Sequence, residues 1–337
     1  MIEYLPKPKN LARNYKLLLA SAYGDAFGAP YETNNRDLSP LPIQHVLREN
    51  PRLGTPFGTW TDDTALNLAG AFGLIAHQGA HACDTMLQHY MAALTANVDP
   101  STPLEDQRSF LRILRSLPEL GWGNGCKRAL SPGGSAVESD GSGALMRAPV
   151  LGYATNIRTY ADLYSLADQN SRLTHIGGSQ ANCIYMYLAV LRGSMLIGEG
   201  PMSSRARTLK QAVSEYGPGL NGPYATLLEL SSLPYADWVK ECRASYAGST
   251  VSEVMFSGVS LALRWVQMFC EGKRVNLTAI AMEGCEVGGD TDTRLAIALP
   301  LCANICEVPK AVEGWDFITA YDTVLTTYFT RFCASEQ

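Results

Sequence analysis

Apolar residues recur three and four positions apart along most of the chain, the spacing that lines one face of an α-helix. The pattern predicts helices over 11–23, 65–76, 85–94, 104–117, 160–167 and 181–196, and again over 204–213, 235–243, 251–270, 277–282, 294–306 and 315–332. Alternating β-branched residues between hairpin turns are missing, so an all-α fold is expected.

Gly and Pro divide these stretches, collecting at 24–30, 51–58, 121–143, 177–178 and 288–289. The longest such stretch, 120–143, carries Gly121, Gly123, Gly125, Gly133, Gly134, Gly141 and Gly143. It is too long for an ordinary connection, which favours a ligand-binding loop over a domain linker.

With 337 residues, 46% hydrophobic and 18% charged, the chain has the composition of a globular protein with a large core. The expected organisation is an extension over 1–10 followed by one domain over 11–335, most simply a monomer. A net charge of -5 with no cluster of Lys and Arg argues against capture of nucleic acid. No apolar run is long enough to span a bilayer, and residues 1–10 lack the apolar core of a secretion signal, so a cytoplasmic location is expected and no membrane partner. Nine cysteines without any C-x-x-C spacing fit reduced core thiols better than disulfides or a zinc site.

Candidate chemistry is concentrated in two short acidic segments. Thr61-Asp62-Asp63-Thr64 precedes an apolar helix, and Gly288-Gly289-Asp290-Thr291-Asp292-Thr293 repeats the design near the other end of the chain. Either one alone is an ordinary helix start, in which Thr caps and Asp meets the positive end of the helix dipole. Two of them supply four carboxylates and several hydroxyls. This all-oxygen set suits hard cations such as Mg²⁺ or Mn²⁺, and without a cation the carboxylates would repel one another. Two such cations in one site are a recurring hydrolytic arrangement. Composition and spacing therefore point to a two-metal hydrolase, provided the two turns meet in space.

Four segments in order also resemble a known family: residues 24–32, which read Gly-Asp-Ala-Phe-Gly-Ala-Pro-Tyr-Glu, then Thr61-Asp62-Asp63-Thr64, then Gly141-Ser142-Gly143-Ala144-Leu145-Met146-Arg147, then Gly288-Gly289-Asp290-Thr291-Asp292-Thr293, with Thr174-His175 between the last two. Together they are similar to the ADP-ribosylglycohydrolases, the group that includes the dinitrogenase reductase-activating glycohydrolase. Two departures stand out. Family members commonly carry Asn-Gly where this chain has Ser142-Gly143, and Arg294 and Pro300 occupy positions where small residues are usual.

The resemblance implies a single large orthogonal bundle of helices with two Mg²⁺ or Mn²⁺ ions. Its metal ligands would be Thr61, Asp62, Asp63, Asp290, Asp292 and Thr293. It further implies removal of ADP-ribose from a modified protein side chain, most simply arginine. Glu32 would sit on a flap, and Asp62 or Asp63 would orient or deprotonate the water. Gly141, Ser142, Gly143, Met146 and Arg147 would cradle diphosphate and ribose, with the Ser142 and Gly143 N–H groups as donors and His175 alongside. Arg147 is equally suited to a phosphate or a buried Asp. Asp25 reads as a structural residue, and Tyr153, Tyr216 and Trp122 are candidates for stacking on adenine. Two other readings remain. One is a catalytically weak protein that binds ADP-ribose or an ADP-ribosylating toxin, with residues 1–10 as a docking segment. The other is a two-metal nucleotide pyrophosphohydrolase, although the E-x-x-E motifs of that class are missing from the acidic turns.

Overall fold

The computed structural model describes residues 11–32, 50–56, 58–76, 82–95, 112, 114–115, 120–154, 157–195, 221–303 and 305–306. Its helices are α1 (Leu11–Gly28), α2 (Asp62–Ala76), α3 (Ala82–Thr95), α4 (Asn124–Leu130), α5 (Tyr160–Arg172) and α6 (Gln180–Met195), followed by α7 (Asn221–Ser232), α8 (Tyr235–Ser245), α9 (Val251–Cys270), α10 (Leu277–Glu286) and α11 (Thr291–Cys302). Short 3₁₀ turns cover Ala29–Tyr31, Ser142–Ala144 and Ala148–Tyr153. The fold is all-α, as the helical periodicity and the resemblance predict.

Local sequence accounts for several of the starts. Thr159 and Asp162 close a capping box on α5, Thr250 and Glu253 do the same on α9, and the Asn276 side chain accepts from the Thr278 N–H at the start of α10. Every residue of α11 from Thr291 to Cys302 is buried, so this helix runs through the middle of the molecule, packed against α1, α9 and α10. Around it, α2 packs on α3 and α5 on α6, and buried side chains from all of these helices join one hydrophobic cluster.

The crossing of α1 over α11 is unusually close, and its cause is visible in the sequence. A Cβ added at Gly24 would lie 2.4 Å from the Leu295 carbonyl oxygen, and one at Gly28 would lie 2.5 Å from that of Thr291. Two glycines one helical turn apart let the backbones touch, and the Thr291 hydroxyl donates to the Gly28 carbonyl at 2.8 Å. The same glycines looked like helix breakers in the sequence. Buried against α11, they continue α1 to Gly28 instead of ending it at Tyr23.

Three further differences have local reasons. The glycine-rich stretch expected to be loop contains α4, whose buried Cys126, Ala129 and Leu130 give it an apolar face between exposed Lys127 and Arg128. Helix α7, which the sequence reading did not anticipate, tucks Leu227 and Leu230 into the core. A two-residue parallel pair is also present, with β1 (Val137–Glu138) beside β2 (His175–Ile176) and Val137 opposite His175. It is too short to leave an alternating pattern. The helices expected over 204–213 and 315–332, most of 104–117 and the extension 1–10 lie outside the described residues.

The α1–α11 contact gives a stability test. Gly24→Ala should destabilise the protein by about 2–4 kcal/mol, because the methyl group overlaps backbone that has no freedom to yield. Gly222→Ala, in α7 with nothing within 4 Å of the added carbon, should leave the melting temperature unchanged or raise it. Thermal denaturation of the two variants beside the parent checks both.

Candidate active site

Asp25, near the end of α1, gathers the first acidic turn. Its Oδ2 accepts from the Thr61 N–H at 2.8 Å, the Thr64 N–H at 3.0 Å and the Thr64 hydroxyl at 2.6 Å, while its Oδ1 accepts from the Thr61 hydroxyl at 2.7 Å. The structural role expected for this residue is the one it has. Because the Thr61 hydroxyl gives its proton to Asp25, the lone pairs of its oxygen stay available. Asp62 and Asp63 follow in the first turn of α2. The Asp62 carboxylate accepts from the Gly123 N–H at 3.3 Å, and the Asp62 N–H donates to the Leu120 carbonyl at 2.9 Å, so the glycine-rich stretch reaches the site at its near end.

The second turn is shaped by glycine and arginine. Gly288 and Gly289 have φ of 75° and 72°, and a Cβ on Gly289 would fall 1.5 Å from the Ala247 carbonyl oxygen. No other residue fits there. Asp290 then caps α11, its Oδ1 accepting from the Thr293 N–H at 3.3 Å, with Asp292 and Thr293 in the first helical turn. Arg294 is fully buried beneath them. It donates to the Gly288 carbonyl at 2.6 Å, the Ser257 hydroxyl at 2.8 Å and the Tyr246 carbonyl at 3.4 Å, which locks the glycine turn from below. The departure noted at this position thus has a structural task.

The two turns meet. The Thr293 hydroxyl donates to Asp63 Oδ2 at 3.4 Å, and the Ser142 hydroxyl donates to Asp290 Oδ2 at 2.7 Å, bringing the third segment to the same place. Asp62, Asp63, Asp290 and Asp292 are all buried. Burial, and then the neighbouring carboxylates Asp292 and Asp25, push Asp62 and Asp63 well above the usual carboxylate range. Asp290 rises to about 7 through burial and Asp292. Glu32, with a side chain 15% exposed, is driven up to about 11 by burial and by Asp292 and Asp290.

One cation that the sequence reading did not single out approaches this cluster. Arg52 pairs with Glu32, and its Nη2 lies 3.7 Å from Asp292 Oδ2.

The donor set fits a hard cation. Asp63 Oδ1 is buried with no hydrogen-bond partner, an acceptor left open amid oxygen atoms. Among the described residues no three His, Cys, Asp or Glu side chains already converge on one ligating centre, so a complete shell would have to draw on the Thr61 and Thr293 hydroxyls and on water.

A glycine-walled cradle adjoins the acidic turns. Residues 139–143 are held by Gln180, whose side-chain amide donates to the Ser139 and Gly141 carbonyls at 3.0 and 2.9 Å, and by a bridge from Gly141 to Thr250. His175, placed by the β1–β2 pair, lies against it: a Cβ on Gly125 would be 2.7 Å from its Nε2, and one on Gly143 2.7 Å from its Cε1.

Several residues assigned to substrate here have different positions. The Ser142 N–H already donates to the Ser249 carbonyl at 3.0 Å and is not free for a ligand, while the Ser142 hydroxyl donates to Asp290. Met146 is a core side chain whose carbonyl accepts from Asn67 at 2.7 Å. Arg147 has no exposed surface; its guanidinium donates to Asn170 Oδ1, the Asn170 carbonyl, the Gly143 carbonyl and the Thr174 hydroxyl, and lies 5.0 Å over the Tyr90 ring. It braces the cradle from behind, and none of these partners is an Asp. Tyr153 is buried in the core and so is not placed to stack on a base, Trp122 is half-buried at the start of the glycine stretch, and Tyr216 lies outside the described residues.

Carboxylates at two helix starts, on an all-α scaffold and beside a glycine cradle, make up the candidate site. The chain belongs to the ADP-ribosylglycohydrolase family, whose profile matches residues 6–304, and it is accordingly a glycohydrolase. Its fold resembles a solved structure described as an ADP-ribosylglycohydrolase-related protein complex, at 18% identity and a TM-score of 0.58 over 95% of this chain and 98% of that one. No match was found among curated proteins. Among the described residues no helix is long and apolar enough to cross a membrane.

The raised carboxyl of Asp290 has a measurable sign. In the cation-free folded protein it holds its proton to about pH 7, whereas in the unfolded chain it ionises near the ordinary 3.8. Its protonated form therefore supports the fold at low pH, and that support is lost as pH rises from about 4 through about 7. Asp290→Asn should gain stability relative to the parent across this window, on the order of 4 kcal/mol. Denaturation in EDTA at pH 4.5 and pH 8 reads the difference; an equal offset at both would contradict the assignment.

Proposed function

We propose that this chain is a metal-dependent ADP-ribosylglycohydrolase that removes ADP-ribose from a modified protein side chain, arginine being the first candidate, and so reverses mono-ADP-ribosylation. The observation that carries this reading is the meeting of the two acidic turns, whose four carboxylates are buried, where the Thr293 hydroxyl reaches Asp63 Oδ2 and Asp63 Oδ1 is left as an open acceptor. Thr61, Asp62, Asp63, Asp290, Asp292 and Thr293 would hold two Mg²⁺ or Mn²⁺ ions. When bound, such ions supply positive charge for vicinal ribose hydroxyls and lower the pKa of water.

The protein's own groups account for the rest of the chemistry. The reaction adds water across the glycosidic bond: oxygen joins the anomeric carbon of the ribose as the bond to the side-chain nitrogen breaks, and that nitrogen leaves with a proton. Asp62 and Asp63, once a cation offsets their mutual repulsion, are the carboxylates available to orient or deprotonate the water. Glu32, at the rim beside Arg52, is placed to assist. Burial of the whole cluster excludes competing water and strengthens each charge interaction.

The glycine turn and His175 supply the diphosphate wall, with Gly143 as the backbone donor. All six residues of the proposed ligand set are intact in the sequence, which supports turnover over a binding-only role and over a site built from Glu-rich helices. The arginine linkage rests on family resemblance alone. Release of a target from an ADP-ribosylating toxin is one biological use of this activity.

Incubation of ADP-ribosylarginine protein with the enzyme and Mg²⁺ or Mn²⁺ should release free ADP-ribose. Asp62→Ala and Asp292→Ala should each reduce the rate by more than about a hundredfold, in line with loss of a group that acts in the reaction. Full activity in EDTA would overturn the metal requirement. A panel of arginine-, serine- and nucleic-acid-linked ADP-ribose decides the leaving group.

A further inference from the structure

The hydrogen bonds behind the glycine cradle run in one direction only. Arg147 is a donor at every nitrogen and accepts nothing. Its Nη1 lies 2.8 Å from the Thr174 hydroxyl oxygen, which therefore accepts. The guanidinium cannot swing away from this duty, because its other contacts hold it to Asn170 Oδ1 at 2.9 Å, the Asn170 carbonyl at 2.6 Å and the Gly143 carbonyl at 3.0 Å.

The single proton of Thr174 is left for one neighbour. His175 Nδ1 lies 2.7 Å away. The other group close to this hydroxyl is the Cys126 thiol, a weak acceptor beside an imidazole nitrogen, and its own sulfur contacts the Gly143 carbonyl at 3.7 Å. The imidazole is neutral, since burial and then the Arg147 charge hold it down at about 4, so it carries one proton. Arg147 also polarises the Thr174 hydroxyl, strengthening its donation onward.

We infer that Arg147 and Thr174 form a one-way relay that fixes His175 as its Nε2-protonated tautomer and aims a single N–H donor into the wall formed by Gly125, Gly141 and Gly143. The carbons missing from Gly125 and Gly143 would sit 2.7 and 3.1 Å from that nitrogen, so any side chain at either position would block it. The acceptor we assign to this donor is an oxygen of the diphosphate of ADP-ribose; this assignment alone rests on the function proposed above. The opposite tautomer would present a bare nitrogen lone pair to the same oxygen and repel it. Arg147 and Thr174 are thus positioning residues for His175.

Long-range ¹H–¹⁵N NMR of the ligand-free protein at neutral pH reads the tautomer directly, with the His175 signals identified by their loss in His175→Gln. The relay requires protonated Nε2 and unprotonated Nδ1 in the parent, a mixture of tautomers in Thr174→Val, and recovery in Thr174→Ser. A protonated Nδ1 in the parent overturns it, as does a Thr174→Val spectrum that keeps the parent tautomer; should Thr174→Val fail to fold, the parent spectrum decides. Titration with ADP-ribose forms a separate arm, in which Thr174→Val should bind roughly tenfold or more weakly, with Thr174→Ser close to the parent. A parent with the expected tautomer that does not bind ADP-ribose refutes the proposed function and leaves the relay standing, whereas binding with the wrong tautomer does the reverse.

Discussion

Everything at the site depends on how closely α1 can lie on α11. Gly24 and Gly28 remove the two carbon atoms that would hold the helices apart, and Asp25, between them in sequence, turns the other way to take four hydrogen bonds from Thr61 and Thr64. One turn of α1 therefore touches both acidic turns, seating α11 on one face and the start of α2 on another. A bulkier residue at either glycine would separate the carboxylates as well as loosen the core. The short signature around residue 25 is thus a joint with no reactive group of its own.

That joint creates an electrostatic problem. Burial and mutual repulsion make Asp62, Asp63, Asp290 and Glu32 resist ionisation. The protein meets the problem with separate arginines. Arg52 pairs with the rim carboxylate, Arg294 fixes the glycine turn through carbonyls, and Arg147 fixes the cradle and the His175 relay. Of the three, only Arg52 reaches a carboxylate of the acidic turns, Asp292 at 3.7 Å, so the cluster keeps more negative than positive side chains. A single buried arginine in the middle would have made a stronger fold and a blocked site.

The sequence was most readable where one face had to be buried. Helix α9 was expected over the residues it occupies from its long apolar periodicity, and the capping box found at its start agrees with that pattern. The acidic turns were readable because paired carboxylates flanked by Thr at a helix start occur twice. Orientation was not. Arg147 sits in a motif that suggests phosphate, yet its side chain is directed into the core, and nothing in residue order states which way a side chain points after a 3₁₀ turn. Ser142 was expected to offer its N–H, but a strand-like contact with residues 249–250, far along the chain, already takes it. Arg52 and α7 depended on tertiary contacts that no local pattern records.

The hydroxyl of Thr293 meets Asp63 across 230 residues, and that of Thr291 meets Gly28 across 263. Contacts of such range form late, since a long loop must close before any of them rewards the chain. During synthesis, α1 and α2 leave the ribosome well before α11 exists to cover them. The nascent chain therefore exposes a bare glycine groove and half a set of carboxylates, and holds no working site until α11 docks. Catalytic competence in this molecule is a property of the finished chain, switched on by the docking of one central helix.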